Sequence, residues 1–200
     1  MNMNVVKQIV EYAKAETAKA GKNINFTMTT NGVLLNEENR KWLNDNMTNV
    51  VISIDGREEV HDKLRVTPNG KGCQSIIMKN ALEFRKIRGD KSYYIRGTYT
   101  KNNLDFCEDV LYLNDKGFDQ ISVEPVVLPE SDDLAIKPCD MPAVMKEYDK
   151  LAREYVKRRK GDKGFNFFHF MIDLQHGPCV FKRLRGCGAG NEYVAVTPIG

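Results

Sequence analysis

Helical and strand-like patterns alternate along this chain at short intervals, and that alternation most constrains its fold. The clearest strand, NVVISIDG at 49–56, is a continuous apolar run between Asn and Gly, which is typical of a parallel strand buried on both faces. Strand patterns also occur at 24–32, 92–100 and 118–130. Because parallel strands with short connections need helical crossovers, the sequence predicts an α/β fold with a parallel sheet of four strands.

Helical periodicity fills most of the intervals between these strands. The predicted helices cover 3–20, 36–46, 73–87, 104–116 and 141–160. In the first of them Val5, Val6, Ile9, Val10, Ala13 and Ala20 share one face, as in an amphipathic helix. The connection at 57–72 is predicted to be a loop, and the aromatic segment 165–174 fits neither period.

Composition narrows the class of protein. With 30 basic and 27 acidic residues the formal charge is only +3, too balanced to indicate nucleic-acid binding. The sequence has no apolar run of the ~18 residues that a membrane span needs, and its first helix lacks a cleavage site. Five cysteines at uneven spacing favour thiols or metal ligands over disulfides. These features predict a cytoplasmic protein.

Polar residues stand where the apolar strands end, which is where parallel α/β proteins place their chemistry. Ser53 and Asp55 flank Ile54 and therefore point to the same side of their strand. Alone, this pair is more typical of a strand-end turn than of a binding site, and Arg65 is more typical of a solvated loop charge. Together, a hydroxyl, a carboxylate and a guanidinium suit a ligand that has hydroxyls, an ammonium and a carboxylate, as an amino-acid nucleoside does.

The cysteines and histidines fall into different settings. Cys73 and Cys107 lie in helical patterns and are expected to pack as small hydrophobic residues, whereas His61 is expected to hydrogen-bond within a loop. Cys179 and Cys187 lie among Gly and Pro without helical or strand period, so they are candidate ligands of zinc or an iron-sulfur cluster. Two cysteines do not complete such a site, and other ligands would have to come from elsewhere.

Several short segments of the chain match motifs of a known enzyme family, in the same order. They are TTNG at 29–32, SIDG at 53–56, HDKLR at 61–65, RGTYT at 96–100, ISVEPVV at 121–127 and GPCVFKRLRGCGAGNEYVAVTPIG at 177–200. In this order and spacing they resemble radical S-adenosylmethionine (radical SAM) enzymes that carry a SPASM extension. The closest likeness is to the SCIFF peptide maturases, which install thioether cross-links in Cys-rich ribosomal peptides.

The resemblance implies a partial (β/α) barrel of the TIM-like radical SAM type, in which the four predicted strands are the third to sixth of six. Residues 1–160 would be the C-terminal part of that barrel, 161–176 a linker, and 177–200 the start of a SPASM iron-sulfur domain. The first two strands, with the CxxxCxxC loop that holds the S-adenosylmethionine-cleaving cluster, would precede this chain. No CxxxCxxC occurs in the sequence, so we expect an internal fragment that is inactive alone.

The same resemblance implies roles for individual residues in binding S-adenosylmethionine. The Ser of SxDG and the Arg of HDxxR contact this cofactor in the family, which carries over to Ser53 and Arg65. Asn31, Asp55 and Arg96 stand at matching strand ends and are expected to line the same cavity.

Cluster ligands are implied by the last segment of the chain. Cys179 and Cys187 match ligands of auxiliary 4Fe-4S clusters, and Cys187 would open a cysteine-spacer-glycine motif whose next cysteine falls just beyond Gly200. By this interpretation the chain is cut inside a cluster-binding hairpin.

The implied activity is that of an oxidoreductase acting on a peptide. A reduced 4Fe-4S cluster would cleave S-adenosylmethionine to a 5′-deoxyadenosyl radical, which abstracts a hydrogen from a Cys-rich precursor peptide. A ferredoxin or flavodoxin would be the reductant, with neither nucleic acid nor membrane as partner. The alternatives are a non-catalytic peptide-binding remnant and an unrelated α/β protein with a structural zinc site.

Overall fold

A computed structural model describes residues 2–171 of the chain. The chain divides into two units after Phe168, and the fold given below is that of Met1–Phe168. Cys179 and Cys187 lie outside the described residues, so their predicted role as ligands stays a prediction.

Within the described residues the core is one parallel sheet whose strands follow one another in chain order. Its strands are β1 (Thr27–Thr30), β2 (Asn49–Ser53), β3 (Ser92–Tyr99), β4 (Gln120–Pro125) and β5 (Asn166–Phe167). The predicted α/β fold is confirmed, and the four predicted strands are present. The fifth was missed because a strand of two residues is too short to show a two-residue alternation.

Helices precede the first strand and connect the strands that follow. They are α1 (Met3–Lys19), α2 (Glu37–Asn46), α3 (Glu58–Leu64), α4 (Gln74–Arg88), α5 (Phe106–Asp115) and α6 (Met141–Arg159), with short 3-10 turns at Lys101–Asn103, Pro138–Asp140 and Phe168–Phe170. The prediction of a loop at 57–72 is wrong for α3, a helix of 7 residues that begins with two glutamates favoured by the helix dipole. Over the described part of the chain, no helix is both long and apolar enough for a membrane crossing.

The strand order decides how the two faces of the sheet differ. Because right-handed crossovers between successive neighbours return on the same side, the connecting helices cover one face. Val50, Ile52 and Ile95 point to that covered face and are fully buried. The opposite face, called the inner face below, carries the alternate side chains of the central strands. These are Val51, Ser53, Tyr94, Arg96, Thr98, Ser122 and Glu124.

Helix α1 has the predicted bounds to within a residue, but its apolar face is only partly buried. Val10 is buried and Val6 and Ala13 are half-buried, whereas Val5 and Ile9 are 45% and 58% exposed. Periodicity shows which residues share a helix face, but not whether another element covers that face.

Arg88 is a buried residue that hydrogen-bonds to main-chain carbonyls at the amino-terminal edge of the sheet. Arg88, 1% exposed, donates from Nη2 to the carbonyls of Ser92 at 2.6 Å, Thr48 at 2.8 Å and Met47 at 3.1 Å. Its Nε also donates to Ser92, at 3.1 Å. Burial lowers the pKa of Arg88. One guanidinium thus joins the end of α4 to the chain entering β2 and β3.

Replacing Arg88 with lysine is expected to destabilise the fold by at least about 2 kcal/mol, because an ammonium cannot reach all of these carbonyls and leaves buried acceptors unpaired. Urea unfolding followed by circular dichroism measures this. Arg153→Lys, at an exposed position of α6, is the matched control and should change little. Equal unfolding midpoints for the two variants would show that the Arg88 contacts do not stabilise the sheet.

Candidate functional site

Ser53 and Arg96 lie side by side on neighbouring strands at the carboxyl-terminal end of the sheet. Ser53 is the last residue of β2 and lies in register with Arg96 of β3, which in turn pairs with Ser122 of β4. Arg96 Nη2 lies 3.1 Å from Glu124 Oε2, and Ser122 Oγ donates to Glu124 Oε1 at 3.1 Å. The predicted residues Ser53 and Arg96 are therefore neighbours on the inner face.

A shallow pocket of about 240 Å³ opens beside these residues on the inner face. Its lining combines the Arg96–Glu124 ion pair with apolar and aromatic side chains. The lining residues are Val51, Tyr94, Arg96, Ser122, Glu124 and Phe168. Such a mixture of apolar surface and a few oriented polar groups is what a small organic ligand requires.

Asp55 and Arg65 form a two-pronged ion pair immediately beyond β2. Arg65 donates from Nε to Asp55 Oδ2 at 2.6 Å and from Nη2 to Asp55 Oδ1 at 2.9 Å. Asp55 Oδ1 also accepts from the main-chain amide of Thr98 on β3, at 2.9 Å. The Asp55 side chain is 6% exposed and that of Arg65 37% exposed, so the guanidinium stands between the buried carboxylate and solvent. The hydrogen bonds to Asp55 raise the pKa of Arg65.

His61 is a buried neighbour of this ion pair. The prediction that it hydrogen-bonds within a loop is wrong, because His61 lies in α3 and its side chain is fully buried. Its Nδ1 accepts from the main-chain amide of Asp55 at 3.2 Å, and its Nε2 lies 3.7 Å from Cys73 Sγ. With Nδ1 as acceptor, the proton of the neutral ring resides on Nε2 and points at the sulfur.

Cys73 completes the cluster on the side of α4. Its Sγ donates to the carbonyl of Arg65 at 3.3 Å, and burial raises the pKa of its thiol. His61, Asp62 and Cys73 approach closely enough for a metal ion, but Asp62 Oδ1 already accepts from the amides of Cys73 and Gln74 at 2.8 and 2.9 Å. All three side chains therefore already have hydrogen-bond partners, and Asp62 binds the main-chain amides at the start of α4. Cys73 is buried as predicted, but with specific polar partners.

Asn31 and Cys107 have more local surroundings. Asn31 follows β1, is exposed, and accepts from the amide of Val33 at 3.3 Å, so it caps its own turn. Cys107 is fully buried in α5, and burial raises the pKa of its thiol to about 12, as expected for a small core residue.

Two features of the site escaped the sequence analysis. A Cβ on Gly97 would lie 2.7 Å from the carbonyl oxygen of Ile54 and 2.9 Å from Cα of Asp55, so glycine lets β3 approach the end of β2. Arg57 Nε donates at 2.9 Å to Asp109, whose side chain is fully buried, and so fixes the turn after Asp55 to α5. The close approach at Gly97 could have been predicted, because a glycine inside the strand pattern RGTYT indicates such a contact. The Arg57–Asp109 contact could not, because its partners lie 52 residues apart in the sequence and leave no local pattern.

Two curated proteins have sequences similar to parts of this chain. The chain is 41% identical over 58 residues, 29% of its length, to a cysteine-type anaerobic sulfatase-maturating enzyme of Clostridium novyi, covering 16% of that protein. It is 28% identical over 139 residues, 69% of its length, to an uncharacterized protein of Methanocaldococcus jannaschii, covering 47% of it. No protein-family model matches the chain.

Solved structures show the same fold. Native anSMEcpe with bound AdoMet and Kp18Cys peptide superposes with a TM-score of 0.73 at 20% identity, over 84% of this chain and 47% of that one. SuiB of Streptococcus suis bound to S-adenosylmethionine gives a TM-score of 0.52 at 18% identity, over 72% and 33%. The chain thus spans less than half of each relative. The resemblance to radical SAM maturases and the partial barrel fold are confirmed, while special closeness to the SCIFF maturases stays a prediction.

The buried His61 predicts an acid sensitivity of folding. Burial lowers its pKa from the usual 6.5, so on acidification the unfolded chain takes up a proton before the folded one does. Stability from this group is complete above pH 6.5 and declines below it until the folded pKa is reached, by at most about 1.4 kcal/mol per pH unit.

Urea unfolding at pH 7.5, 6.5 and 5.5 is expected to show a steeper loss of stability for the unmodified chain than for His61→Asn, which cannot protonate there. The comparison of slopes removes any constant cost of the substitution. Parallel slopes would mean that His61 does not stay neutral in the folded state.

Proposed function

We propose that this chain forms part of the S-adenosylmethionine site of a radical SAM peptide maturase. Three observations support the proposal: the 41% identity to a sulfatase-maturating enzyme, the shared fold with two proteins solved with S-adenosylmethionine, and the polar groups at the carboxyl ends of β2 and β3. The last of these carries most of the proposal, because it concerns residues of this chain.

Each residue of the site has a proposed role that follows from its chemistry. The Ser53 hydroxyl, on the inner face, is suited to hydrogen-bond the nucleoside part of the cofactor. Arg65 offers a cation beside solvent and is suited to the carboxylate of the methionine part. Arg96 and Asn31 would border the cavity. Asp55 acts indirectly, since its carboxylate is already engaged by Arg65 and the Thr98 amide.

The donor set of the described residues fits this cofactor in kind. The pocket is lined by the Arg96 cation, the Ser122 hydroxyl and apolar side chains, whereas Ser53 and Arg65 are not part of its lining. These groups match a molecule with ribose hydroxyls, a carboxylate and an aromatic base. S-adenosylmethionine, when bound beside a reduced iron-sulfur cluster, supplies radical chemistry. We assign auxiliary 4Fe-4S ligation to Cys179 and Cys187 by resemblance alone, with 177–200 as the start of a SPASM domain.

The reaction, the substrate, the reductant and the location of the whole enzyme are proposed from the same resemblance. The whole enzyme would act as an oxidoreductase that forms thioether cross-links in a Cys-rich ribosomal peptide, with a ferredoxin or flavodoxin as reductant in the cytoplasm. The peptide held by anSMEcpe supports a peptide as the substrate class.

Arg65→Ala is expected to weaken binding of S-adenosylmethionine by about tenfold, because the cofactor's carboxylate loses a charge-assisted contact. Isothermal titration calorimetry of the anaerobic, iron-sulfur-reconstituted chain measures the affinity. Arg153→Ala, exposed on α6, removes the same charge elsewhere and should leave the affinity unchanged. Binding that is equal in the Arg65 and Arg153 variants would remove Arg65 from the site.

The chain alone is expected to release no 5′-deoxyadenosine from S-adenosylmethionine, because its sequence contains no CxxxCxxC to hold the cleaving cluster. After anaerobic reconstitution with iron and sulfide and addition of dithionite, chromatography of the products checks this. Catalytic amounts of 5′-deoxyadenosine would show that another set of ligands cleaves the cofactor.

A further inference from the structure

The hydrogen bonds around Asp55 and Arg65 close into a ring. The Asp55 amide donates to His61 Nδ1 at 3.2 Å, His61 Nε2 faces Cys73 Sγ at 3.7 Å, and Cys73 Sγ donates to the Arg65 carbonyl at 3.3 Å. The side chain of Arg65 then returns to the Asp55 carboxylate at 2.6 and 2.9 Å. Both partners of the ion pair are therefore held through their main chains as well as their side chains.

The ring of hydrogen bonds is complete in only one protonation state of His61 and Cys73. His61 must keep Nδ1 free to accept from Asp55 and carry its proton on Nε2, and Cys73 must remain a thiol to donate to Arg65. His61 faces Asp55 from the strand end, Asp62 from its own helix, Cys73 from the start of α4 and Arg65 from the end of α3. Its complete burial keeps water from competing for either ring nitrogen.

We propose that His61, assisted by Cys73, is the positioning residue of the cofactor site: it fixes the Asp55 main chain and thereby the direction in which Arg65 presents its guanidinium. The identity of the ligand that Arg65 contacts rests on the proposed function, whereas the proposed orientation of Arg65 does not. Neither His61 nor Cys73 would touch the cofactor, since both are buried.

Two substitutions of His61 separate positioning from simple packing. In His61→Asn the side-chain oxygen occupies nearly the place of Nδ1 and continues to accept from the Asp55 amide. In His61→Gln the acceptor is displaced by one methylene toward Cys73, so the Asp55 amide loses its partner. The pair is matched in polarity and differs mainly in where the acceptor stands.

The readout is the Arg65 Nε–H resonance in ¹H–¹⁵N NMR spectra of the full 200-residue chain, assigned by its loss in Arg65→Lys. Its exchange with water reports whether Asp55 still holds Nε, and its shift on titration with S-adenosylmethionine reports binding. We expect exchange about tenfold faster and affinity about tenfold weaker in His61→Gln, with both within about twofold of the unmodified chain in His61→Asn.

Unchanged exchange and affinity in His61→Gln would overturn the proposal, as would a loss of thermal stability in His61→Gln without any change at Arg65. If the unmodified chain shows the expected exchange pattern but no response to S-adenosylmethionine, the proposed function fails while the positioning of Arg65 by His61 stands.

A second pair of variants covers the case in which both His61 variants unfold. Cys73→Ala removes the donor to the Arg65 carbonyl and Cys73→Ser retains one. Faster Arg65 exchange in Cys73→Ala than in Cys73→Ser supports the ring, and equal exchange in the two refutes it.

Discussion

The arrangement at the top of this sheet depends on one buried carboxylate, that of Asp55. It receives the guanidinium of Arg65 and the main-chain amide of Thr98, so a single side chain connects the end of β2 to the end of α3 and to β3. A carboxylate with so little exposure would be costly to bury without compensation. Three donated hydrogen bonds, two of them from a cation, supply it.

Backbone geometry makes this connection possible. Gly97 allows β3 to pass close to the residues that follow β2, which brings the Thr98 amide within reach of Asp55. Arg57 fixes the next turn by donating to Asp109 with its amide at 3.0 Å and its Nε at 2.9 Å. Burial raises the pKa of Asp109 although Arg57 opposes that rise. The loop between β2 and α3 is thus held at both ends, and Ser53 is presented to the inner face from a defined position.

Local chemistry in the sequence was enough to predict much of this. The apolar run before Ser53 predicted a buried strand, and the affinity of guanidinium for carboxylate made Arg65 a candidate clamp. That Ser53 and Asp55 point to one side stays a prediction, since Asp55 follows the end of β2 and its carboxylate accepts from the Thr98 amide. What the clamp holds in the described residues is Asp55 of the same chain. The contacts of His61 and Cys73 could not be foreseen, because they depend on α3, a helix too short for its periodicity to be distinguished from a loop. The exposed face of α1 and the position of β5 likewise depend on packing between distant segments.

The coupling between Asp55 and Arg65 tests the account most directly, and a double-mutant cycle of folding stability with Asp55→Asn, Arg65→Gln and the combined variant measures it. We expect a favourable interaction energy of about 1 to 3 kcal/mol, since each residue's contribution depends on the presence of the other. Additive effects, with an interaction energy within about 0.3 kcal/mol of zero, would contradict the claim that this ion pair organises the site.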